Sequence, residues 1–486
     1  MFPTETISSD GRHRGPRSTP THPLVHPDEQ YSFPEAELNI DEVAAPSPVL
    51  DPSEGQIRKH QYLENVRSRS SGDAQRSESR GRRQNLERSL SFQGETSGNV
   101  EGEEPVKQTR LSEFWTKLYT VSYLIVFAIT GTIVRLVIET LTFYPGAPVG
   151  TSALWANVAG SFVMGFLSED RKLFRSDSVQ SSMTDSETEN DDVWKAHAPA
   201  HKKTIPLYIG MTTGFCGCLT SFSTFMRDAS LAISNDLPSP LAPYAHLSLF
   251  QSAQRATTKA PDGGFSVMAV LAVLITEIGL SMVSLFLGAH LAIFTSSWLP
   301  TIRPKFLRGF LDPLMVILAP LSWIAIICLA ILLPQFPTDN TLWSPEIWRG
   351  PFLFSLVFAP VGCLVRFFIS LKLNRRIPSF PLGTFIVNVL GTMILGMAFS
   401  LQHASIGSSG FGGQSFTGCQ VLQGIMDGFC GCVTTVSTWV LELSDLKRQH
   451  AYIYGSISVA AALGMLVVEI GALRWTRGFA TPACFT

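Results

Sequence analysis

Charge is scarce in this sequence. Only 16% of its 486 residues are Asp, Glu, Lys or Arg, against ~25% in ordinary soluble proteins. The scarcity is uneven: residues 1–110 hold a large share of the Arg, Glu, Asp, Ser and Pro, whereas residues 118–475 contain long runs almost free of charge. The net charge of −2 averages these two unlike regions and gives no sign of a nucleic-acid partner. Other features are missing too. There is no P-loop pattern, so no ATP-driven step is expected. Cys216/Cys218 and Cys430/Cys432 lie in apolar stretches with no His or acidic residue following at ligand spacing, which argues against a metal centre built on them. Met1–Asp10 lacks an apolar run, so no cleavable leader is expected. An enzyme would need a nucleophile and a base within the spans; His290 lies near a helix end, and enzymatic activity is not expected.

What the sequence does have is hydrophobic length. After a Ser-, Arg-, Glu- and Pro-rich stretch that reads as a disordered tail, nine apolar segments follow. They lie near 118–141, 150–167, 205–226, 265–291, 313–333, 351–372, 381–401, 418–443 and 451–473. Each is about long enough to cross a ~30 Å hydrocarbon core as a helix of ~20 residues. Loop charges divide unequally. Lys117, Arg171, Lys172, Arg303, Lys305, Lys372, Arg375, Arg376, Lys447 and Arg448 fall on one face, and few basic residues, among them Arg227, Arg349 and Arg474, on the other. By the positive-inside rule the N-terminus is cytoplasmic and the C-terminus external, which requires an odd number of crossings.

An internal repeat sets the architecture. Gly131-Thr-Ile-Val-Arg135 recurs as Gly362-Cys-Leu-Val-Arg366, and the Asn that follows each Arg, Asn157 or Asn388, comes 22 residues later in both copies (157 − 135 and 388 − 366). Asn157-Val-Ala-Gly-Ser161 matches Asn388-Val-Leu-Gly-Thr392. The run Gly214-Phe-Cys-Gly-Cys-Leu-Thr-Ser-Phe-Ser-Thr-Phe225 matches Gly428-Phe-Cys-Gly-Cys-Val-Thr-Thr-Val-Ser-Thr-Trp439, and Glu277-Ile-Gly279 matches Glu469-Ile-Gly471. The segment around Leu314–Leu333 has no partner. Equivalent helices are therefore five crossings apart, and the second copy must be inverted relative to the first.

Several of these residues carry chemistry. Asn157 and Asn388 are amides within apolar helices, where they either bind a neighbouring helix or offer N–H donors to an anion. Gly and Thr in the third motif of each copy predict a local break whose carbonyls lipid cannot satisfy but a buried cation or pore can. Phe222 and Phe225 share a helix face, and the positive edge of a phenyl ring suits an anion path. Arg135 and Arg366 are read as vestibule charges at polar pore entrances. Glu139 stands one turn after Arg135; Glu277 and Glu469 are left without a role.

With these motifs the chain resembles the CrcB/Fluc fluoride channels, in particular the two-domain fungal fluoride exporters (FEX). The carrying residues are G-x-x-x-R at 131–135 and 362–366, N-x-x-G-[ST]-x₃-G at 157–165 and 388–396, and G-F-C-G-C-x-T-x-x-S-T at 214–224 and 428–438. The resemblance implies a passive fluoride-selective channel in the plasma membrane, functional as a single chain in the bilayer, with two antiparallel pores and a structural Na⁺. Gly217, Thr220, Gly431 and Thr434 would supply carbonyls to that ion. Asn157, Asn388, Phe222, Phe225, Thr224, Thr438, Tyr454 and Ser458 would line the fluoride path. Copy two departs from the pattern at Val436 and Trp439, and copy one at Asp262, where the fourth-helix tyrosine is expected, so the two pores are expected to be unequal. A coupled transporter of another small inorganic anion is the alternative.

The expected fold is thus an all-α membrane protein: a disordered cytoplasmic tail (1–117), a first CrcB-like four-helix repeat (118–291), a linker with an inverting helix (292–348), a second repeat in opposite orientation (349–475) and a short external tail (476–486).

Overall fold

A computed structural model describes residues 106–142, 149, 151–170, 172–174, 202, 204–237, 263–332, 349–404, 415–480 and 482. Most of the expected tail, much of the loops between repeats' helices, and Asp262 lie outside the described residues. Among the described residues every regular element is helical.

The helices, in chain order, are α1 (Val106–Thr142), α2 (Leu154–Glu169), α3 (Pro206–Ile209, continuing as a π-helical Gly210–Cys216 and a last turn Gly217–Leu219) and α4 (Phe222–Ser234). Then come α5 (Gly263–Thr295), α6 (Asp312–Leu332), α7 (Ser355–Leu373), α8 (Leu382–His403), α9 (Phe416–Gly424, then a π-helical Ile425–Cys430 and Gly431–Val433), α10 (Ser437–Asp445) and α11 (Arg448–Thr476). Helix starts at Val106, so the boundary expected at 117 is too late.

Among the described residues seven helical stretches are long and apolar enough to cross a membrane: Glu113–Thr142, Gly263–Thr295, Pro304–Leu332, Phe352–Arg376, Leu382–His403, Phe416–Asp445 and Arg448–Thr476. The other two expected segments are not among them. α2 has only 16 residues. The α3–α4 segment is interrupted at Thr220–Ser221, which take extended backbone angles, as its repeat partner within Phe416–Asp445 is at Thr434.

Contacts between loops and helix ends sort into two sets. Ile302 N–H donates to the Leu173 carbonyl at 2.9 Å, and Lys202 lies 3.9 Å from Asp170, joining the α5–α6 and α2–α3 connections. At the other end Arg474 pairs with Asp236 at 2.6 Å, and Ala480 N–H donates to His403 at 2.8 Å. The start of α1 meets the end of α7, where Lys117 and Lys372 line one cleft.

The interior is built from α1–α4 and α7–α10, with one face each of α5 and α11 buried against them. α2 and α5 cross closely, since a methyl at Gly165 would overlap the Leu285 carbonyl. Such small-residue crossings replace the hydrophobic drive that is lost inside lipid. α6 is mostly exposed, with Ile317, Leu321, Ile324 and Ile331 outward. It is tied to the bundle at two places: Tyr123 OH donates to Asp312 Oδ1 at 2.9 Å, and Trp323 Nε1 to the Val357 carbonyl at 3.0 Å.

Candidate functional site

The Gly/Thr breaks expected in the third motif of each copy are present, and they meet. In copy one the helix ends at Leu219, Thr220 turns extended (φ −95°, ψ 148°), and α4 resumes with Ser221 as its cap, Thr224 N–H donating to Ser221 Oγ at 3.2 Å. In copy two Thr434 adopts the same conformation (φ −97°, ψ 157°) and α10 resumes at Ser437. Each threonine hydroxyl reaches across to the other copy. Ser437 N–H donates to Thr220 Oγ1 at 3.2 Å, and Ser223 N–H donates to Thr434 Oγ1 at 3.1 Å. Ser437 Oγ donates to the Cys216 carbonyl at 3.2 Å, mirrored by Ser223 Oγ to Cys430 at 3.3 Å. Backbone groups at each break are thus met by side chains from the other copy, as a break within an apolar bundle requires.

Both asparagines sit fully buried beside these breaks, but they are used differently. Asn157 Oδ1 accepts from Ser221 N–H at 2.8 Å, while its Nδ2 donates to Glu277 Oε2 at 3.0 Å. Asn388 closes a ring with one residue: Oδ1 accepts from Thr435 N–H at 2.9 Å and Nδ2 donates to the Thr435 carbonyl at 3.1 Å. Glu277 is 1% exposed and its Oε1 has no hydrogen-bond partner. Glu469, its match in the repeat, instead packs its carboxylate against Gly396.

The two arginines are not at open entrances. Arg135 and Arg366 are buried, and each head lies over the break glycine of the opposite copy. A methyl at Gly431 would overlap the Arg135 guanidinium, and one at Gly217 that of Arg366. Arg135 Nη2 donates to the Asp427 carbonyl, and Arg366 Nη2 to the matching Thr213 carbonyl. The symmetry ends there. Arg366 Nη1 also donates to Gly217 at 2.6 Å and Thr434 at 3.2 Å, whereas Arg135 Nη1 has no partner. Among the described residues Arg135 forms no ion pair with Glu139.

This bears on the implied sodium ion. Backbone carbonyls are suitable ligands for a hard cation, but two of the four implied residues, Gly217 and Thr434, already give their carbonyls to a guanidinium. As arranged, the set does not fit a sodium ion, and no step is routed through one. Nor does any group of three His, Cys, Asp or Glu side chains that could hold a metal occur among the described residues.

The aromatics converge at the same depth. Phe222 stands edge-on to Phe225 (5.8 Å, 87°) and to Trp439 (5.3 Å, 65°), so the copy-two substitution keeps a ring in the cluster. Trp439 is 1% exposed and its indole N–H has no hydrogen-bond partner among the described residues. Val436 is buried as an aliphatic wall. Of the remaining expected pore residues, Thr224 Oγ1 lies 2.8 Å from Ser221 Oγ, and Thr438 Oγ1 accepts from Thr435 Oγ1 at 3.4 Å. Tyr454 OH donates to Glu442 Oε2 at 2.7 Å, Thr384 Oγ1 donates to the other oxygen at 2.6 Å, and Ser458 Oγ turns back to the Tyr454 carbonyl at 2.7 Å.

The structure therefore gathers the asparagines, breaks, arginines and aromatics into one buried centre, with Tyr454 and Ser458 on α11 reaching it through Glu442. Three contributors were missed from sequence. Glu277 was seen but unassigned, Glu442 follows the third motif by four residues, and Trp439 was read only as a departure. An acidic residue inside an apolar span is the signal that could have found the first two.

A family profile described as "CrcB-like protein, Camphor Resistance (CrcB)" matches residues 122–258 and 353–472, one stretch for each copy. The chain is 44% identical over 465 residues to Fluoride export protein 1 of Neurospora crassa, covering 90% of this chain and 82% of that protein. It is 31% identical over 378 residues to Fluoride export protein 1 of Candida albicans, covering 77% and 85%. A bacterial protein, the Fluoride-specific ion channel FluC of Chromobacterium violaceum, matches at 32% over 140 residues, which is 27% of this chain and 99% of the bacterial one. No solved structure matches.

Proposed function

This chain belongs to the CrcB-like family, and on that premise we propose that it is a passive fluoride-selective channel that exports F⁻ and so confers fluoride resistance. The observation that carries the reading is the buried centre where both copies of the motif meet. It presents amide N–H groups, hydroxyls and aromatic edges around a break, with Arg366 engaged by backbone carbonyls and Glu277 by the Asn157 amide. Such a lining compensates a small dehydrated anion without a free charge to trap it. Fluoride that enters as HF ionises in a near-neutral cytosol, and a membrane negative inside expels it at ~2.3 kcal/mol per charge per 100 mV. Expression in a fluoride-sensitive host tests this: growth on fluoride should be restored.

The finer architecture is part of the proposal. The short α2 and the broken α3–α4 segment are taken as crossings beside the seven long helices, giving nine, with α6 as the inverting span. The two-ended sorting of loop contacts and the reciprocal seating of each arginine in the other copy support this arrangement. The N-terminus is then cytoplasmic, the C-terminus external, and the plasma membrane the site of action. Both interlocked breaks come from one chain, so a single chain suffices.

The two paths are unequal. Asn157 spends an N–H on Glu277, an internal carboxylate that competes with fluoride for the amide, whereas Asn388 carries no such rival. The central positive charge is assigned to Arg366 rather than to sodium. Glu277 is also the group on which a coupled transporter would draw, and flux that tracks a proton gradient separates that reading from a channel.

A further inference from the structure

Outside the buried centre, the end of α8, the start of α9 and the end of α11 come together around a cysteine. Cys419, fully buried in the first turn of α9, is disulfide-bonded. Cys216, Cys218, Cys328, Cys363, Cys430 and Cys432 are free, and the sequence holds eight cysteines, so Cys484 is the one left to pair with it. The chain leading to Cys484 is anchored beside Cys419. Ala480 N–H donates to the His403 carbonyl at 2.8 Å, and Pro482 is buried. The preceding residue of α8, Gln402, donates through Nε2 to the Cys419 carbonyl at 3.2 Å. Phe479 stands edge-on to Phe399 at 5.6 Å and lies under the Arg474 guanidinium at 5.6 Å, while Arg474 pairs with Asp236 at 2.6 Å. Two consecutive residues of α8 thus hold the tail and the first turn of α9 at one place. Cys484 comes four residues after Ala480, and extended chain spans up to ~14 Å over that length.

We propose that Cys419 and Cys484 form a disulfide clasp that fastens the C-terminal tail to α8 and α9. It forms by exchange with a dithiol–disulfide oxidoreductase. One cysteine thiolate attacks the carrier's disulfide, the other displaces the carrier from the mixed disulfide, and the carrier leaves as a dithiol. The two cysteine thiols give up two electrons and two protons, and the carrier's disulfide takes them up. Such a bond persists in an oxidising compartment, so the inference rests on the proposed orientation, which puts these helix ends outside. The clasp also bears on the centre. Gln402 Nε2 donates to Gln423 Oε1 at 3.1 Å, Gln423 Nε2 to Asp427 Oδ2 at 2.7 Å, and the Asp427 carbonyl accepts from Arg135. The turn of α9 that seats Arg135 is thereby tied to the residues the clasp holds.

Peptide mapping of the full chain, purified with free thiols alkylated and digested without reductant, tests this. The peptide holding Cys419 should be recovered joined to the C-terminal peptide holding Cys484, and reductant should separate them. Alkylated Cys419, or Cys419 joined to any other cysteine, overturns the proposal. Reduction should also lower the melting temperature by about 5 °C, because it opens a loop of 65 residues (484 − 419). The variant Cys419→Ser/Cys484→Ser should melt at that lower temperature and ignore the reductant. A melting temperature that reduction leaves unmoved in the unmodified chain overturns the clasp. Neither readout involves ion flux, so this inference and the channel reading fail separately.

Discussion

Asn157 donates its side-chain N–H to Glu277 across 3.0 Å, a contact that its repeat partner Asn388 does not make. One buried amide is thereby held by the protein's own carboxylate and the other by a backbone carbonyl, which is the basis of the proposal that the two ion paths differ. A hydrogen bond to a charged group is worth about 1.5–3 kcal/mol, or roughly ten- to a hundredfold in rate. Asn388→Ala should therefore lower fluoride efflux by about that factor, while Asn157→Ala leaves most of it. Adding Glu277→Ala to Asn388→Ala should recover part of the flux by releasing Asn157. Efflux measured in liposomes with matched protein content checks this, and equal halving by either asparagine change would mean two equivalent pores.

The arginines should separate on stability. Arg366 satisfies three carbonyls and Arg135 one. Each buried acceptor left unpaired costs about 1–3 kcal/mol, so Arg366→Met should reduce thermal stability more than Arg135→Met. Replacing sodium by N-methylglucamine on both sides should leave the flux of the unmodified protein unchanged, since the guanidinium holds the carbonyls. Sodium-dependent flux would show that the ion shares them with Arg366.

Trp439 should act through its N–H. Trp439→Phe keeps a ring against Phe222 but removes a buried donor that has no protein partner. If fluoride takes that donor, efflux through this path should fall by roughly tenfold or more, with expression and stability little altered. Unchanged efflux in Trp439→Phe, together with a loss in Trp439→Ala, would make the residue a packing element only.

The all-helical membrane fold was legible in the sequence from its long apolar runs, and the duplicated motifs pointed to the two breaks that the structure brings together. The breaks were legible for a local reason: Gly217 and Thr220, like Gly431 and Thr434, weaken a helix where they stand. The arginines were not. Arg135 and Arg366 lie within their own helices, and the carbonyls that hold them belong to residues 68 to 292 positions away. Periodicity says nothing about which break an inverted partner will bring to them. Glu277 was illegible for the same reason, since its partner Asn157 comes from another helix.

The orientation has a separate check. A reporter fused after Thr486 should react with impermeant reagents in intact cells, and one fused before Met1 should not. Protection of the C-terminal reporter would reverse the assignment. Replacing α6 by an unrelated apolar span that keeps Asp312 and Trp323 should preserve fluoride resistance, because Ile317, Leu321, Ile324 and Ile331 on its outer face are exposed.

The most direct test of the whole account is ion efflux from liposomes holding the purified chain, with fluoride and chloride compared at one fixed voltage. The account predicts rapid voltage-driven fluoride efflux with no added proton gradient or ATP, and chloride efflux no faster than from protein-free liposomes. Comparable chloride flux, or fluoride flux that appears only with a proton gradient, would contradict it.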